Sequence, residues 1–156
     1  MPIVLHRIDD RLIHGQVVVG WGRPLGVEFI ALVDDTVAAS EWEQELYRMG
    51  VPPEMTLYFA DVEAAARQHA LWESDPRPGI VLAADIDTMR RLAALVAIAE
   101  VNVGGIHHAP GRTQRLRYVF LSQDEERSLR ALADTGVRIS AQDVPGSKTV
   151  ELEELL

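Results

Sequence analysis

Runs of strand length that are apolar almost without interruption recur along the chain, separated by segments in which apolar residues follow helical spacing. The runs are IVLHRI (3–8), EFIALVD (28–34), MTLYFA (55–60), GIVLAAD (79–85), EVNVGG (100–105), YVFLS (118–122) and VRISAQDV (137–144). Their apolar residues continue rather than alternate, which predicts strands covered on both faces. Helix signals fall between them. Ser40 and Glu43 predict a capping box, and Gly50 before Pro52 and Pro53 ends that helix. Asp61 is placed to cap residues 62–73, and Asp87 or Thr88 to cap residues 89–99. The segment 122–136 opens with acids at the positive end of the helix dipole and closes on Gly136. ESDPRPG (73–79) reads as a helix-to-strand loop, and TVELEELL (149–156) as one or two helical turns.

Strand and helix therefore alternate, which predicts an α/β protein: an open, mostly parallel sheet with helices on both faces, in three α/β/α layers. The 156 residues fit one domain, 1–156, with one substantial core. Trp21, Trp42 and Trp72 fall in helical segments, Trp21 as core packing and the other two as partly buried positions.

Such sheets bind ligands beyond the carboxyl ends of their strands, at a switch in strand order. The strand ends to inspect are Asp9 to His14, Asp34 and Asp35, Asp61, Asp85, and NVGGIHHAPGR (102–112). The first is richest in chemistry. DDRLIHG (9–15) is a strand-to-helix loop with His14 at or just before a helix N-terminus, where free backbone N–H groups favour an anion. Gly15 permits close approach or an unusual backbone angle. Arg11 offers a planar fork of donors suited to phosphate oxygens. A neutral imidazole is a nucleophile toward phosphorus, and phosphoryl transfer asks mainly for positioning and charge neutralisation. These parts need no metal or cofactor.

From the residues alone other readings stay open. His14 could be a structural loop histidine, and Asp9, Asp10, His14, His107 and His108 could form a metal site, although no close-spaced ligand motif supports one. Asp9 and Asp10 could cap the loop and pair with Arg7 or Arg11, or hold Arg11 in place. A receiver-type domain would draw on Asp34, Asp35, Asp85 and Lys148, but these acids follow the second and fourth strands rather than the first and third. A dinucleotide enzyme lacks its G-x-G-x-x-G after the first strand. The net charge of −9 argues against nucleic acid as a partner. The arginine run RTQRLR (112–117) reads as a solvated strand edge or a docking patch. With no cysteine, no signal-like N-terminus and no membrane-length apolar run, a cytoplasmic location is expected.

RIDDRLIHGQV (7–17) followed by Trp21 resembles the phosphorylation loop of the IIB subunits of the mannose, fructose and sorbose family of the bacterial phosphoenolpyruvate-dependent sugar phosphotransferase system. The similarity continues in order through VDDTVA (33–38), MGVPP (49–53), NVGGIHHAPGR (102–112) and VP (144–145). The resemblance implies that His14 accepts a phosphoryl group from a phosphorylated IIA domain and passes it to a sugar carried by the membrane partners IIC and IID. It assigns Arg11 to the phosphate, with the backbone from Ile13 through Gly15 to Gln16 as its cradle and Asp10 in the same loop. It gives Asp34 and Asp35 a role around that loop, unless they cap the next helix, and lets Gly104 and Gly105 bring backbone close to His14. His107 and His108 become loop residues near the site. The implied fold has strand order 3-2-4-1-5-6, a homodimer is among the assemblies it allows, and contact with the inner face of the membrane would run through IIC and IID. A regulatory module that carries phosphohistidine without feeding a transporter would show the same loop.

Overall fold

In the computed structural model, which describes residues 3–156, β2 (Phe29–Val33) and β4 (Gly79–Ala83) are buried at every position. Their continuous apolar runs require this, because helices cover both faces of the sheet. β1 (Ile3–Ile8) lies beside β4 and pairs in parallel with both β4 and β5 (Glu100–Val103). With β3 (Thr56–Ala60), β8 (Arg138–Ala141) and β9 (Val150–Glu151), the sheet has seven strands in the order β3-β2-β4-β1-β5-β8-β9. Its pairings are parallel except for β9, which runs antiparallel to β8 at the edge.

The sixth place in the sheet belongs to the seventh apolar run, which forms β8. YVFLS instead contributes β7 (Val119–Leu121), which pairs with β6 (Thr113–Leu116) in a separate antiparallel hairpin. Val119 and Leu121 are buried by packing into the core rather than by joining the sheet, while Phe120 between them is partly buried.

Two apolar clusters flank the sheet. One lies under α4 (Val62–Ser74), α5 (Ile86–Ala93) and α6 (Gln123–Asp134). The other lies under a π-helix (Gln16–Trp21), the short α1 (Gly22–Leu25) and α2 (Asp35–Ala38), and α3 (Glu41–Met49) follows α2. α7 (Leu152–Leu155) follows β9. The crossover after β1 travels on one face toward β2 and that after β5 on the other toward β8, so the carboxyl ends of β1 and β5 flank a switch point. That geometry leaves a cleft at the end of β1.

Caps explain several boundaries. Asp61 accepts from the Ala64 N–H, and Ser122 with Glu125 completes a reciprocal capping box. Gly136, with φ of +99°, takes the left-handed angle that follows α6. Three expectations are corrected. Ser40 precedes α3 without a side-chain cap, α5 is capped by Asp85 rather than Asp87 or Thr88, and TVELEELL begins as the edge strand β9. Trp42 is 68% exposed, whereas Trp72 is buried. α3 fully buries none of its residues and reaches the core only through Tyr47, which packs beside Phe59, so most of its apolar stripe faces outward.

Candidate functional site

The loop leaving β1 is built around a buried carboxylate. Asp9 is fully buried, and its N–H continues the sheet by donating to the Ala83 carbonyl. The Asp9 carbonyl accepts from Leu12 at 3.0 Å, closing a tight turn, and Leu12 takes a φ of +59°. A buried leucine in the left-handed region is uncommon, and it reverses the chain so that His14 comes back over Asp9. The left-handed angle expected near Gly15 thus falls on Leu12, while Gly15 is ordinary helical backbone at φ −52° and ψ −40°. A Cβ at Gly15 would meet no atom within 4 Å, so the space beside it is open.

Asp9 meets three basic side chains. Oδ2 lies 3.3 Å from both Arg7 Nη2 and His14 Nε2, and Oδ1 accepts from the Arg11 backbone N–H at 3.1 Å and faces Arg11 Nε at 3.4 Å. Burial alone would raise the Asp9 carboxyl, but contact with His14 and the charge of Arg7 outweigh it and hold it at about 2. His14 Nε2 is shut off from solvent and is close to Asp9 without the alignment of a full hydrogen bond. On the other side of the ring, Nδ1 faces the Gln16 N–H at 3.3 Å. An acceptor at Nδ1 leaves the proton of the neutral ring on Nε2, toward the carboxylate.

Arg7 fills the space behind. It is the largest fully buried side chain, donating to Asn102 Oδ1, to the carbonyls of Gln142 at 2.9 Å and Asp143 at 3.1 Å, and stacking 4.8 Å above Trp21. Trp21 is core, as expected, and its Nε1–H donates to the Asp143 carbonyl at 3.0 Å. The end of β8 is thereby tied to the end of β1.

The other loop residues divide. Arg11 is 39% exposed in its side chain and donates from Nη2 to Gln16 Oε1, while Gln16 Nε2 donates to Asp143 Oδ1 at 3.2 Å. The carbonyl of His14 accepts from Val17 and Val18. Among the described residues the N–H groups of Ile13, His14 and Gly15 have no protein acceptor, although Ile13 itself packs into the core. Asp10 turns the other way, accepting from the His107 N–H at 2.7 Å and pairing with His107 Nδ1 at 2.6 Å. It secures the loop after β5 rather than touching His14. His108 packs edge-on against Phe120.

Asp34, Asp35, Gly104 and Gly105 meet partners other than His14. Asp34 caps α2 through the Val37 N–H at 2.9 Å, and Asp35 accepts from Val62 and pairs with Arg91 at 2.9 Å. Both follow β2, which β4 separates from β1, so they bind helices near their own strand: Asp34 binds α2, and Asp35 binds α4 and α5. Gly104 and Gly105 do not press on His14. A Cβ at Gly104 would collide with the Arg7 guanidinium, and one at Gly105 would stand 3.3 Å from Asp9 Oδ1. Because Arg7 is fixed by Asn102 and two carbonyls, Gly104→Ala is expected to lower stability by about 1–3 kcal/mol, read as a lower midpoint in urea with an unchanged slope. The arginines of 112–117 are engaged: Arg112 with Glu125, Arg115 with Glu126, and Arg117 with Asp143. Asp85 is spent as a helix cap and Lys148 reaches Glu154 at 3.8 Å, so the acids of the receiver reading do not gather around that lysine.

Sequence reasoning weighed Asp9 and Asp10 alike as partners of Arg7 or Arg11, assigned Asp10 to the loop, and gave Arg7 no place among the site residues. The signal available was a basic residue, Arg7, inside the central strand, followed by an acid at its end.

Comparison with known proteins decides the family. The model of the PTS system sorbose subfamily IIB component matches residues 3–156. The chain belongs to that family. It is 31% identical over 157 residues to the N-acetylgalactosamine-specific phosphotransferase enzyme IIB component 1 of Escherichia coli, covering 97% of each chain. It is 30% identical to the mannose-specific EIIAB component of the same organism, spanning all of this chain and 49% of that one. The crystal structure of the IIBSor domain of the sorbose permease from Klebsiella pneumoniae superposes with a TM-score of 0.88 at 29% identity, covering 99% of this chain and 96% of that one. This IIB component is therefore a part of a sugar phosphotransferase system. No helix among its described residues is long and apolar enough to cross a membrane.

Proposed function

We infer that this IIB component carries a phosphoryl group on Nδ1 of His14, taking it from a phosphorylated IIA partner and giving it to a sugar moved by IIC and IID. The single observation that carries the reading is the split environment of the imidazole: Nε2 is closed off against Asp9 while Nδ1 faces the loop beside Gly15. Asp9 holds the proton on Nε2, so Nδ1, once released from the long contact with the Gln16 N–H, offers its lone pair as the nucleophile. As the bond from phosphorus to Nδ1 forms, the bond from phosphorus to the IIA partner breaks, and the Asp9 carboxylate stabilises the ring as it gains positive charge. Arg11 leaves Gln16 to meet the phosphoryl oxygens, and the free N–H groups of Ile13, His14 and Gly15 supply further donors. In the second half the sugar hydroxyl attacks phosphorus, its proton passes to a base outside this chain or to water, and Nδ1 is the leaving group as the bond from phosphorus to nitrogen breaks.

The joined name of the EIIAB relative, of which this chain matches about half, supports a IIA partner. Cytoplasmic placement, with IIC and IID as the contact to the membrane, follows from the same reading. The test mixes phosphorylated IIA with this protein, then adds membranes bearing IIC and IID with sugar. One acid-labile phosphoryl group per chain is expected, absent from His14→Ala and discharged by the sugar. A stable phosphoprotein that no sugar discharges would speak for the regulatory reading, and no phosphoprotein would refute both.

A further inference from the structure

We propose that His6, His69 and Glu73 form a binding site for a divalent cation of the zinc class, separate from the His14 loop. His6 is on β1 and faces away from Arg7 across the sheet, while His69 and Glu73 lie one turn apart on the same face of α4. The ligand atoms of the three residues lie within 4.8 Å of one another.

The two Nε2 atoms face each other at 3.0 Å, and the rings are tilted by only 26°. Two nitrogens so close cannot both carry a proton on the facing side. One is a donor and the other an acceptor, so a single proton occupies the position that a cation would take. Two imidazoles on one tetrahedral zinc ion, each at about 2.0–2.1 Å, place their nitrogens about 3.3 Å apart. The pair is therefore within a small rotation of ligand geometry. Binding moves the shared proton from Nε2 to Nδ1 of the same ring and releases none.

Glu73 supplies the charge. It is partly buried and, among the described residues, forms no ion pair with a lysine or arginine. A half-buried carboxylate beside two imidazoles, without a cation of its own, is a donor set suited to zinc. The three residues border an open groove whose neighbouring Ala66, Ala70 and Ala97 present only methyl groups, so a fourth position stays open to water. The bound ion would fasten β1 to α4 one residue before Arg7, behind the phosphoryl site.

The test uses the full chain stripped with a chelator, titrated with Zn2+ by calorimetry and with Co2+ by visible absorbance. One Zn2+ per chain is expected, with the intense Co2+ bands of a tetrahedral site, an elevated thermal midpoint on Zn2+ addition, and unchanged binding in His14→Ala. His69→Gln and Glu73→Gln should each weaken binding by about tenfold or more. Because His69 is buried, Glu73→Gln on the helix surface keeps the test valid if the histidine variant does not fold. Absence of stoichiometric binding in the folded wild type, or undiminished binding in Glu73→Gln, would overturn the proposal.

Discussion

Arg11→Lys is expected to slow phosphoryl acceptance by about 100-fold or more while folding is nearly unchanged. Lysine keeps the positive charge. What it loses is the planar fork that can hold Asp9 through Nε and still present further N–H groups to a phosphoryl oxygen. In the unphosphorylated protein one arm of that fork rests on Gln16, and Asp143 in turn holds Gln16. The arginine is thus stored next to the place where charge will develop. Its side chain is 39% exposed, and exposed ion pairs contribute only about 0–1 kcal/mol, so the urea midpoint should move little. Rapid-quench measurement of phosphoryl uptake from a charged IIA domain, beside a denaturation curve of the same sample, separates the two effects. Equal transfer rates in the two proteins would remove Arg11 from the transition state.

Asp9→Asn should have the largest effect on stability, about 3 kcal/mol or more, because it leaves Arg7 charged, fully buried and without its anion. Arg7 keeps Asn102 and two backbone carbonyls, which places the expected loss toward the lower end of the range for broken buried pairs. The pH dependence gives an independent check. The folded-state carboxyl is held at about 2, below its ordinary value of 3.8, so its contribution is complete above about 4 and fades as pH falls toward 2. The stability difference between wild type and Asp9→Asn should therefore be flat at neutral pH and shrink by about 2 kcal/mol on acidification through that window. A difference that stays constant down to pH 2 would mean that Asp9 is not the anion of this cluster. The same variant should transfer phosphoryl groups slowly, since the imidazole loses the carboxylate that fixes its tautomer.

The strands at the middle of the sheet were legible because their burial is two-sided, and a run such as FIALV has no other stable setting. The cap at Asp61 and the closing glycine at Gly136 were legible because both signals are local. YVFLS was not, because an apolar run states that it is buried but not which partner buries it. At the site, His14, Arg11 and Gly15 stood out by chemical type and by resemblance, whereas the choice between Asp9 and Asp10 did not. Two consecutive acids leave a strand end in opposite directions, and only the turn closed by Leu12 decides that Asp9 points inward to Arg7 while Asp10 points to His107. No residue-level signal announces a leucine with positive φ. Gly104 was noticed for the right reason, close approach, with the wrong neighbour, because the arginine it accommodates lies 97 positions earlier in the chain. Trp42 shows the converse. Helical spacing predicts an apolar stripe, but it does not say whether the stripe meets the sheet or the solvent.

The central claim is that Asp9 closes one nitrogen of His14 and leaves the other to carry phosphate. It is tested most directly by 31P–15N correlation NMR of the protein phosphorylated by its IIA partner, with histidine labelled by 15N. A single phosphohistidine is expected, on His14, with phosphorus bonded to Nδ1 and a proton retained on Nε2. Phosphorus on Nε2, or on another residue altogether, would contradict it.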